Sequence, residues 1–311
     1  MRRLCFKICI LISLSIVPMG IIGFFDNINF DDRNTVRIKV SERFKNLDFL
    51  ILGNSHSYTG IDVRLFDSAG VKAYNLGSPA AGIITIRLLL ENYIRNTGTI
   101  PKNIILNVGP EMFTPNCDIF DKFPIHRYLT PPMSNEQLLV EGSISINVYV
   151  KLFCKSAKQG FLKLMYKNKV KEDSLILYDM RYKGYAMRSG IYSDSLYRTN
   201  YSIYSVFNHY NLDKSKEKLF FDLIKYCNSL NINIYIHDMP NNKLANFFNT
   251  ELMKEYKDLL KRLEANKEVI VLSYPKSFPY FWYADMDHMN MSGATVYTRF
   301  LLLKILHEHT K

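Results

Sequence analysis

Short apolar runs alternate along this chain with longer segments in which apolar residues recur every three or four positions. Each short run ends where glycine, proline or polar residues begin, which predicts strands at residues 48–53, 71–76, 103–108, 233–237 and 269–273. The longer segments predict amphipathic helices at residues 83–95, 214–230, 250–265 and 292–307. Near-continuous apolar strands separated by such helices are typical of parallel sheets. We therefore expect an α/β fold with a five-stranded parallel sheet between two helical layers.

One long segment, residues 114–211, breaks this alternation, which then resumes with the same spacing. We interpret the segment as a helical insertion into a single domain. Within it, residues 151–171 combine many lysines with an approximately helical stripe of apolar residues. Such a stretch either contacts a membrane surface or an anionic polymer, or forms an ordinary surface helix with solvated lysines.

The amino-terminal segment has the charge pattern of a membrane leader. Basic residues at positions 2, 3 and 7 precede an uncharged run at residues 8–25, close to the roughly 20 residues that cross a bilayer as a helix. By the positive-inside rule, we expect residues 1–26 to be an uncleaved anchor in the cell membrane and residues 27–311 to be extracytoplasmic. The alternative is a cleaved signal peptide and a secreted or periplasmic protein.

Composition and charge narrow the classes of partner. Apolar residues make up 48% of the chain and charged residues 22%, as in ordinary globular proteins. The net charge of +11 favours contact with anionic polymers or a lipid surface. We expect no nucleic acid partner, because the predicted location is extracytoplasmic. The five cysteines form no C-x-x-C pair and have no histidine companion at metal spacing, so we expect no metal site and no cofactor.

Polar side chains gather directly after the first predicted strand, in the turn GNSHS at residues 53–57. In parallel α/β sheets the functional site lies beyond the carboxyl ends of the strands. A serine presented there by a rigid strand suits a nucleophile, and a helix cap is the alternative.

A second polar cluster, the sequence DMDH, precedes the last predicted helix. Asp285 and His288 are three residues apart, so the carboxylate can orient the imidazole of a general base. Asp287 is adjacent to His288 and is a rival for that role. Capping of the helix is the alternative for Asp285.

In this chain order the blocks resemble those of the SGNH hydrolases, also called the GDSL family. GNSHS matches the first block, NLGSPAAG at residues 75–82 matches the second, and DMDH with MNMSGA matches the last. The resemblance implies a flavodoxin-like (SGNH) three-layer fold with Ser55 as the nucleophile and His288 and Asp285 as its acid–base pair. It also implies that the backbone amides of Ser55 and Gly77 bind the oxyanion.

The third block departs from the family pattern. Where G-x-N-D is expected after the third strand, the chain has Gly109, Pro110 and Glu111, and an ionised carboxylate cannot donate a hydrogen bond to an oxyanion. Either Glu111 is turned away and Asn107, Asn75 or a backbone amide is the third donor, or the hole has two donors. Since the loss of one donor costs on the order of 10²–10³ in rate, the turnover depends on this choice.

Three further polar residues at strand ends are candidate pocket residues, namely Asn54, His56 and His237. His56 is adjacent to Ser55 and is poorly placed as a base, because neighbouring side chains on a tight turn diverge. We expect it to line the pocket or to bond to the nearby backbone. His237 either forms the turn after the fourth strand or lines the pocket.

The resemblance extends to membrane-anchored proteins that handle acyl groups on surface polymers, such as the D-alanyl transfer proteins of teichoic acid and the alginate O-acetylation proteins. It implies a serine esterase or O-acyltransferase acting on acyl esters of a cell-surface polysaccharide or related envelope polymer. It also implies a membrane-bound acyltransferase as partner. The alternative is a non-catalytic accessory protein of envelope polysaccharide assembly that binds a glycan or an acyl carrier. A dinucleotide-binding domain is disfavoured, because GNSHSYTG lacks the G-x-G-x-x-G spacing.

Overall fold

The computed structural model of this chain describes residues 33–79, 81–114, 170–192, 211–237, 248–265, 267–272 and 278–309. The predicted leader lies outside these residues, as does nearly all of the lysine-rich stretch. No helix in the described part of the chain is long and apolar enough to span a bilayer. The membrane anchor and the function of the lysine-rich stretch therefore stay predictions.

Five parallel strands form one sheet in the order β2-β1-β3-β4-β5. Their bounds are Phe49–Leu52 for β1, Ala73–Asn75 for β2, Asn103–Asn107 for β3, Asn233–His237 for β4 and Ile270–Val271 for β5. All five predicted strands are confirmed, each within two residues at either end. In the sheet, β2 lies on one side of β1 and β3 lies on the other side. The carboxyl ends of β1 and β3 therefore border the crevice in which doubly wound sheets bind their ligands.

The helices of the described residues are α1 (Arg33–Ser41), α2 (Ser55–Gly60), α3 (Arg64–Ser68), α4 (Ile83–Thr97), α5 (Val170–Tyr182), α6 (Lys214–Ser229), α7 (Thr250–Ala265) and α8 (Met291–His309). There are also two short 3₁₀ helices. Pro110–Phe113 follows β3, and Tyr280–Trp282 precedes the loop that leads into α8. The four predicted helices are confirmed as α4, α6, α7 and α8. Helix α4 packs against α6, and α8 packs against α2 and α3. Right-handed connections place these two groups on opposite faces of the sheet.

The central strands lie at the middle of the core. Every residue of β1 and β3 is buried, with at most 4% of its surface exposed. Helices on both faces remove the alternation of polar and apolar residues that a half-exposed strand would have. The continuous run FLIL in β1 is the direct consequence.

The last part of the predicted insertion packs closely on the sheet. Asp179 of α5 accepts a hydrogen bond of 2.6 Å from the Tyr74 hydroxyl of β2 and lies 3.9 Å from Arg37 Nε, and all three side chains are buried. After α5, Gly184 has φ of +83°, and a Cβ on it would collide with the carbonyl oxygen of Asn75. This part of the insertion therefore belongs to the domain core and continues toward the carboxyl edge of the sheet.

Candidate active site

A glycine turn joins β1 to α2 and presents Ser55 at the edge of the sheet. Gly53 has φ of +138°, and a Cβ there would lie 2.8 Å from Asn107 Cβ, so the turn requires glycine. The Asn54 side chain accepts a hydrogen bond of 2.9 Å from the backbone N–H of His56 and caps α2. Since Asn54 supplies the cap, the hydroxyl of Ser55 is left for other contacts.

The loop before α8 carries the other predicted residues of the site. An antiparallel bridge between Tyr283 and Met289 closes this loop. Inside it, Asp285 Oδ1 accepts hydrogen bonds from the backbone N–H of Asp287, at 3.1 Å, and of His288, at 2.7 Å. These bonds fold the loop so that the carboxylate of Asp285 meets the ring of His288.

The three residues predicted as nucleophile, base and orienting carboxylate come together. Ser55 Oγ lies 2.8 Å from His288 Nε2, although the two residues are 233 positions apart. His288 Nδ1 lies 2.9 and 3.0 Å from the two carboxylate oxygens of Asp285. This is the order of contacts in a Ser-His-Asp triad, in which the imidazole connects the hydroxyl to the carboxylate.

A second carboxylate, that of Asp287, also contacts His288. Its Oδ1 lies 2.7 Å from His288 Nδ1. Burial lowers the pKa of His288, but Asp287 and Asp285 outweigh burial and raise this pKa to about 9. Burial likewise raises the pKa of Asp287, but the charges of His288 and His56 hold it well below its usual value. Both shifts favour the imidazolium form of His288 and the carboxylate form of Asp287.

Glu111 lies beside the turn that carries the nucleophile. Its Oε1 accepts a hydrogen bond of 2.7 Å from Asn54 Nδ2 and lies 3.8 Å from His56 Nδ1, and the side chain is buried. This geometry corresponds to the alternative in which Glu111 is turned away from the oxyanion, because its carboxylate is bound by Asn54.

The two asparagines considered as the third oxyanion donor are engaged elsewhere. Asn75 Nδ2 donates to the backbone carbonyls of Ser57, at 2.7 Å, and Ile61, at 3.1 Å. Asn107 Nδ2 donates to the carbonyl of His237 at 3.3 Å. Both side chains are buried and tie backbone segments together, which leaves backbone amides as the candidate oxyanion donors.

Gly77 lies directly against the helix that carries the nucleophile. A Cβ on it would lie 2.7 Å from Ser57 Cβ and 2.8 Å from the backbone nitrogen of Tyr58, so this approach requires glycine. Its N–H donates a hydrogen bond of 2.9 Å to Asn75 Oδ1. To bind an oxyanion, this N–H must be shared between Asn75 and the substrate. The oxyanion function of Gly77 stays a prediction.

The two remaining candidate pocket histidines are both buried. His237 is fully buried and its Nδ1 lies 2.7 Å from the Tyr297 hydroxyl. Burial, with His56 nearby, lowers the pKa of His237 to about 3, so its ring is neutral. The turn after β4 lies outside the described residues, so both alternatives for His237, turn formation and pocket lining, stay predictions. The ring of His56 lies 5.3 Å from that of His288, and its Nε2 lies 3.4 Å from Asp287 Oδ2.

One contact of the triad comes from the predicted insertion. The guanidinium of Arg188 donates to Asp285 Oδ2 and is partly exposed. The backbone carbonyl of Arg188 also accepts the N–H of Met291 at 2.9 Å, which fixes this segment to the start of α8. Sequence reasoning missed Arg188, because it belongs to no motif and lies 97 positions from Asp285.

His56, Asp287 and His288 bring donor atoms within 4.8 Å of one another, which is the spacing of metal ligands. The contact of 2.7 Å between Asp287 Oδ1 and His288 Nδ1 is, however, a hydrogen-bonding distance. Two ligands bound to one tetrahedral zinc ion lie about 3.4 Å apart. We therefore assign no metal ligands to this cluster.

Comparison with solved structures finds chains of related backbone. One is a proposed acylhydrolase from Bacteroides fragilis, 10% identical, with a TM-score of 0.39 over 84% of this chain and 86% of that one. Another is a GDSL-like lipase from Bacteroides thetaiotaomicron, 8% identical, with a TM-score of 0.40 over 84% of this chain and 88% of that one. Likenesses this loose carry no argument about activity. No protein-family model and no curated protein matches the sequence.

Proposed function

We propose that this protein is a serine esterase or O-acyltransferase of the SGNH type. The observation that carries the proposal is the continuous contact chain from Ser55 Oγ through His288 to Asp285, with distances of 2.8 and 2.9 Å. These residues come from the turn after β1 and the loop before α8, at the carboxyl edge of the sheet. A serine hydroxyl gains nucleophilicity when such an imidazole takes its proton.

The proposed reaction follows from these contacts. Ser55 Oγ attacks the carbonyl carbon of an ester while His288 Nε2 takes the hydroxyl proton, and Asp285 keeps the ring in place through Nδ1–H. The tetrahedral intermediate then expels the alcohol, to which His288 gives the proton, and leaves an acyl group on Ser55. Water or a sugar hydroxyl next attacks this acyl group while His288 takes its proton. The ester bond between the acyl carbon and Ser55 Oγ then breaks, and His288 returns the proton to Ser55 Oγ. Water gives an esterase, and a sugar hydroxyl gives a transferase.

The charge that develops on the carbonyl oxygen requires hydrogen-bond donors. The backbone N–H of Ser55 is in the first turn of α2, where the helix supplies no acceptor. The N–H of Gly77 would be the second donor, shared with Asn75 Oδ1. Glu111 accepts from Asn54, so its carboxylate is paired with a donor of the protein.

We further propose an acylated cell-surface polysaccharide or related envelope polymer as substrate and a membrane-bound acyltransferase as partner. The support is the charge pattern of residues 1–26, the net charge of +11 and the resemblance to anchored O-acylation proteins. In this proposal the protein is anchored in the cell membrane with its active site outside the cytoplasm.

A second candidate function is a non-catalytic accessory protein that binds a glycan or acyl carrier. The specific observation that favours it is the state of the oxyanion donors. The N–H of Gly77 and the side-chain amides of Asn75 and Asn107 all donate to other protein atoms. A site with one donor fewer than usual stabilises the transition state less, by about 3 kcal/mol.

The experiment that separates the two functions is labelling of the full-length protein with a fluorophosphonate, which reacts with activated serines. We expect labelling of the wild type and its loss in Ser55→Ala and in His288→Ala. Ser68→Ala is the matched control, because the Ser68 hydroxyl is exposed and donates only to the nearby Arg64 carbonyl. The absence of labelling in well-folded wild-type protein would favour the binding protein.

A further inference from the structure

We infer that Asp287 is a positioning residue that stabilises the charged form of His288, whereas Asp285 fixes the orientation of its ring. The family pattern assigns both tasks to the one carboxylate of D-x-x-H. In this chain, a second carboxylate and a second imidazole, that of His56, extend the triad on its buried side. The inference rests on the proposed ester chemistry, in which His288 gains a proton as Ser55 attacks.

The position of Asp287 between two imidazoles is the first argument. Its Oδ1 lies 2.7 Å from His288 Nδ1, and its Oδ2 lies 3.4 Å from His56 Nε2. Only 6% of its side chain is exposed, compared with 20% for Asp285. A charge in a buried position is screened less by water, so the attraction between Asp287 and a protonated His288 is the stronger of the two.

The partners of Asp285 are the second argument. Its carboxylate accepts hydrogen bonds from the backbone N–H groups of Asp287 and His288 and from the guanidinium of Arg188. These donors stay in place whether His288 is charged or neutral, and Arg188 already balances the charge of this carboxylate. Asp285 is therefore well placed to hold the ring of His288 in its orientation. It contributes less than Asp287 to stabilising a positive charge on that ring.

His56 connects Asp287 to the rest of the buried network. On its other side, Nδ1 lies 3.8 Å from Glu111 Oε1, and Glu111 is bound by Asn54. His56 therefore lies between two carboxylates, and a proton on its Nε2 is directed at Asp287. Such an arrangement keeps the Asp287 carboxylate turned toward both rings.

The charged and titratable groups that face His288 come from four elements. On its own loop they are Asp285 and Asp287, and on α2 it faces His56. Behind these are Glu111 of the 3₁₀ helix after β3 and Arg188 of the segment after α5. His237 at the end of β4 is neutral and hydrogen-bonded to Tyr297, so it adds no charge. The upward shift in the pKa of His288 and the downward shift in that of Asp287 have the directions that this inference requires.

The proton balance of the proposed reaction gives this arrangement a function. When the Ser55 O–H bond breaks and the His288 Nε2–H bond forms, the ring becomes positive and no other group changes its proton count. Asp287 meets that positive charge at 2.7 Å on the opposite side of the ring. Stabilising the imidazolium lowers the barrier for attack and raises the pH at which the base becomes neutral.

The test is an NMR titration of the histidine rings in the full-length protein, in the wild type, Asp287→Asn and Asp285→Asn. The chain has seven histidines, so the signal of His288 is assigned by its loss in His288→Asn. We expect Asp287→Asn to lower the titration midpoint of His288 by about one pH unit or more, and Asp285→Asn by less than half as much. A larger shift in Asp285→Asn than in Asp287→Asn would overturn the inference.

Asp62→Asn is the matched control, because Asp62 is also buried and also pairs with a basic residue, Arg64. It should leave the midpoint of His288 unchanged. Asp287→Ser, with a smaller polar side chain, replaces Asp287→Asn if that variant does not fold. If neither folds, Asp285→Asn decides alone, since a return of the His288 midpoint to about 6.5 in that variant would overturn the inference.

A second readout keeps this inference distinct from the proposed function. The rate of fluorophosphonate labelling is measured against pH in the same variants, and Asp287→Asn should move its midpoint downward together with the NMR midpoint. If the wild-type protein does not react at all, the proposed function fails, but the NMR titration still decides which carboxylate stabilises the charged ring.

Discussion

The side-chain amide of Asn54 donates a hydrogen bond of 2.7 Å to Glu111, so two of the positions at which this chain differs from the G-D-S and G-x-N-D patterns bind each other. Those patterns have a carboxylate directly before the nucleophile and an amide at the third position of the third block, which Glu111 occupies in this chain. This chain has the amide and the carboxylate in the opposite order. The pair in this chain still consists of one amide and one carboxylate. The exchange therefore keeps a single carboxylate at this buried position and keeps an amide that donates a hydrogen bond to it. We interpret the two departures as a single paired difference.

This pairing predicts that Asn54→Asp alone is harmful and that Glu111→Asn rescues it. In the single variant two carboxylates lie about 3 Å apart, which removes a charge-assisted hydrogen bond and should cost about 2–3 kcal/mol of unfolding free energy at pH 7. In the double variant Asn54→Asp/Glu111→Asn the amide and carboxylate face each other again. Unfolding in denaturant measures the free energies, and labelling of Ser55 measures the site.

The Asn54→Asp variant also has an internal control. Aspartate keeps a side-chain oxygen at Oδ1 that can accept the N–H of His56 and cap α2, so the loss in the single variant cannot come from the cap. A double variant that is no more stable than Asn54→Asp would contradict the pairing.

The sheet could be predicted from the sequence because its signals are local, whereas the choice of Ser55, His288 and Asp285 rests on the resemblance to the SGNH blocks. The apolar run at Phe49–Leu52 and the polar turn after it lie within a few residues, and so do Asp285 and His288. In a parallel sheet the carboxyl ends of strands share one edge, so local motifs at those ends meet in space. The contact between Ser55 and His288 follows from this rule.

The contacts that modify the triad could not be predicted in this way. Arg188 reaches Asp285 from a segment without a motif, and Asn75 takes the N–H of Gly77 through a side-chain direction that no pattern encodes. His237 is a polar residue at a strand end, but its ring is buried and its Nδ1 lies within hydrogen-bonding distance of the Tyr297 hydroxyl, 60 positions away. Each case depends on tertiary packing between distant parts of the chain.

The pH dependence of turnover should follow the neutral form of His288. Only a neutral imidazole can take the proton of Ser55, and the two carboxylates raise the pKa of His288 to about 9. We expect kcat/KM for an activated ester to rise about tenfold per pH unit from pH 6 and to level off above pH 9. The rate with Ser55→Ala is subtracted to remove hydrolysis by hydroxide. A profile that is already level at pH 7 would contradict a pKa of about 9.

The same shift predicts how stability depends on pH. The folded pKa of His288, about 9, is above its unfolded value of about 6.5, so folding favours the protonated ring. This contribution is complete below pH 6.5 and is lost as the pH rises through 9. It should amount to about 3 kcal/mol, measured as the fall in unfolding free energy between pH 6 and pH 9.5 in the wild type minus the fall in His288→Asn. Equal losses in the two proteins would argue against a charged His288.

Gly77→Ala should damage the site through packing. The new Cβ would lie within 3 Å of Ser57 Cβ and of the Tyr58 nitrogen, both in α2, and must displace the helix that carries Ser55. We expect a loss of about 1–3 kcal/mol in unfolding free energy and at least about tenfold in the labelling rate of Ser55. Gly98→Ala is the control, because a Cβ there meets nothing and only its φ of +66° is unfavourable. It should lower stability by about 1 kcal/mol and leave the labelling rate unchanged.

Arg188→Ala should reduce activity with little effect on folding. Arg188 is partly exposed, so its ion pair with Asp285 contributes less than about 1 kcal/mol to stability. Without the guanidinium, the Asp285 carboxylate loses one of the donors that hold it against His288, and kcat/KM should fall about 3- to 10-fold. Arg64→Ala is the matched control, because Arg64 is about equally exposed and pairs with Asp62, which does not contact the triad. If both variants lose the same activity, the effect is a general one of surface charge and Arg188 does not position Asp285.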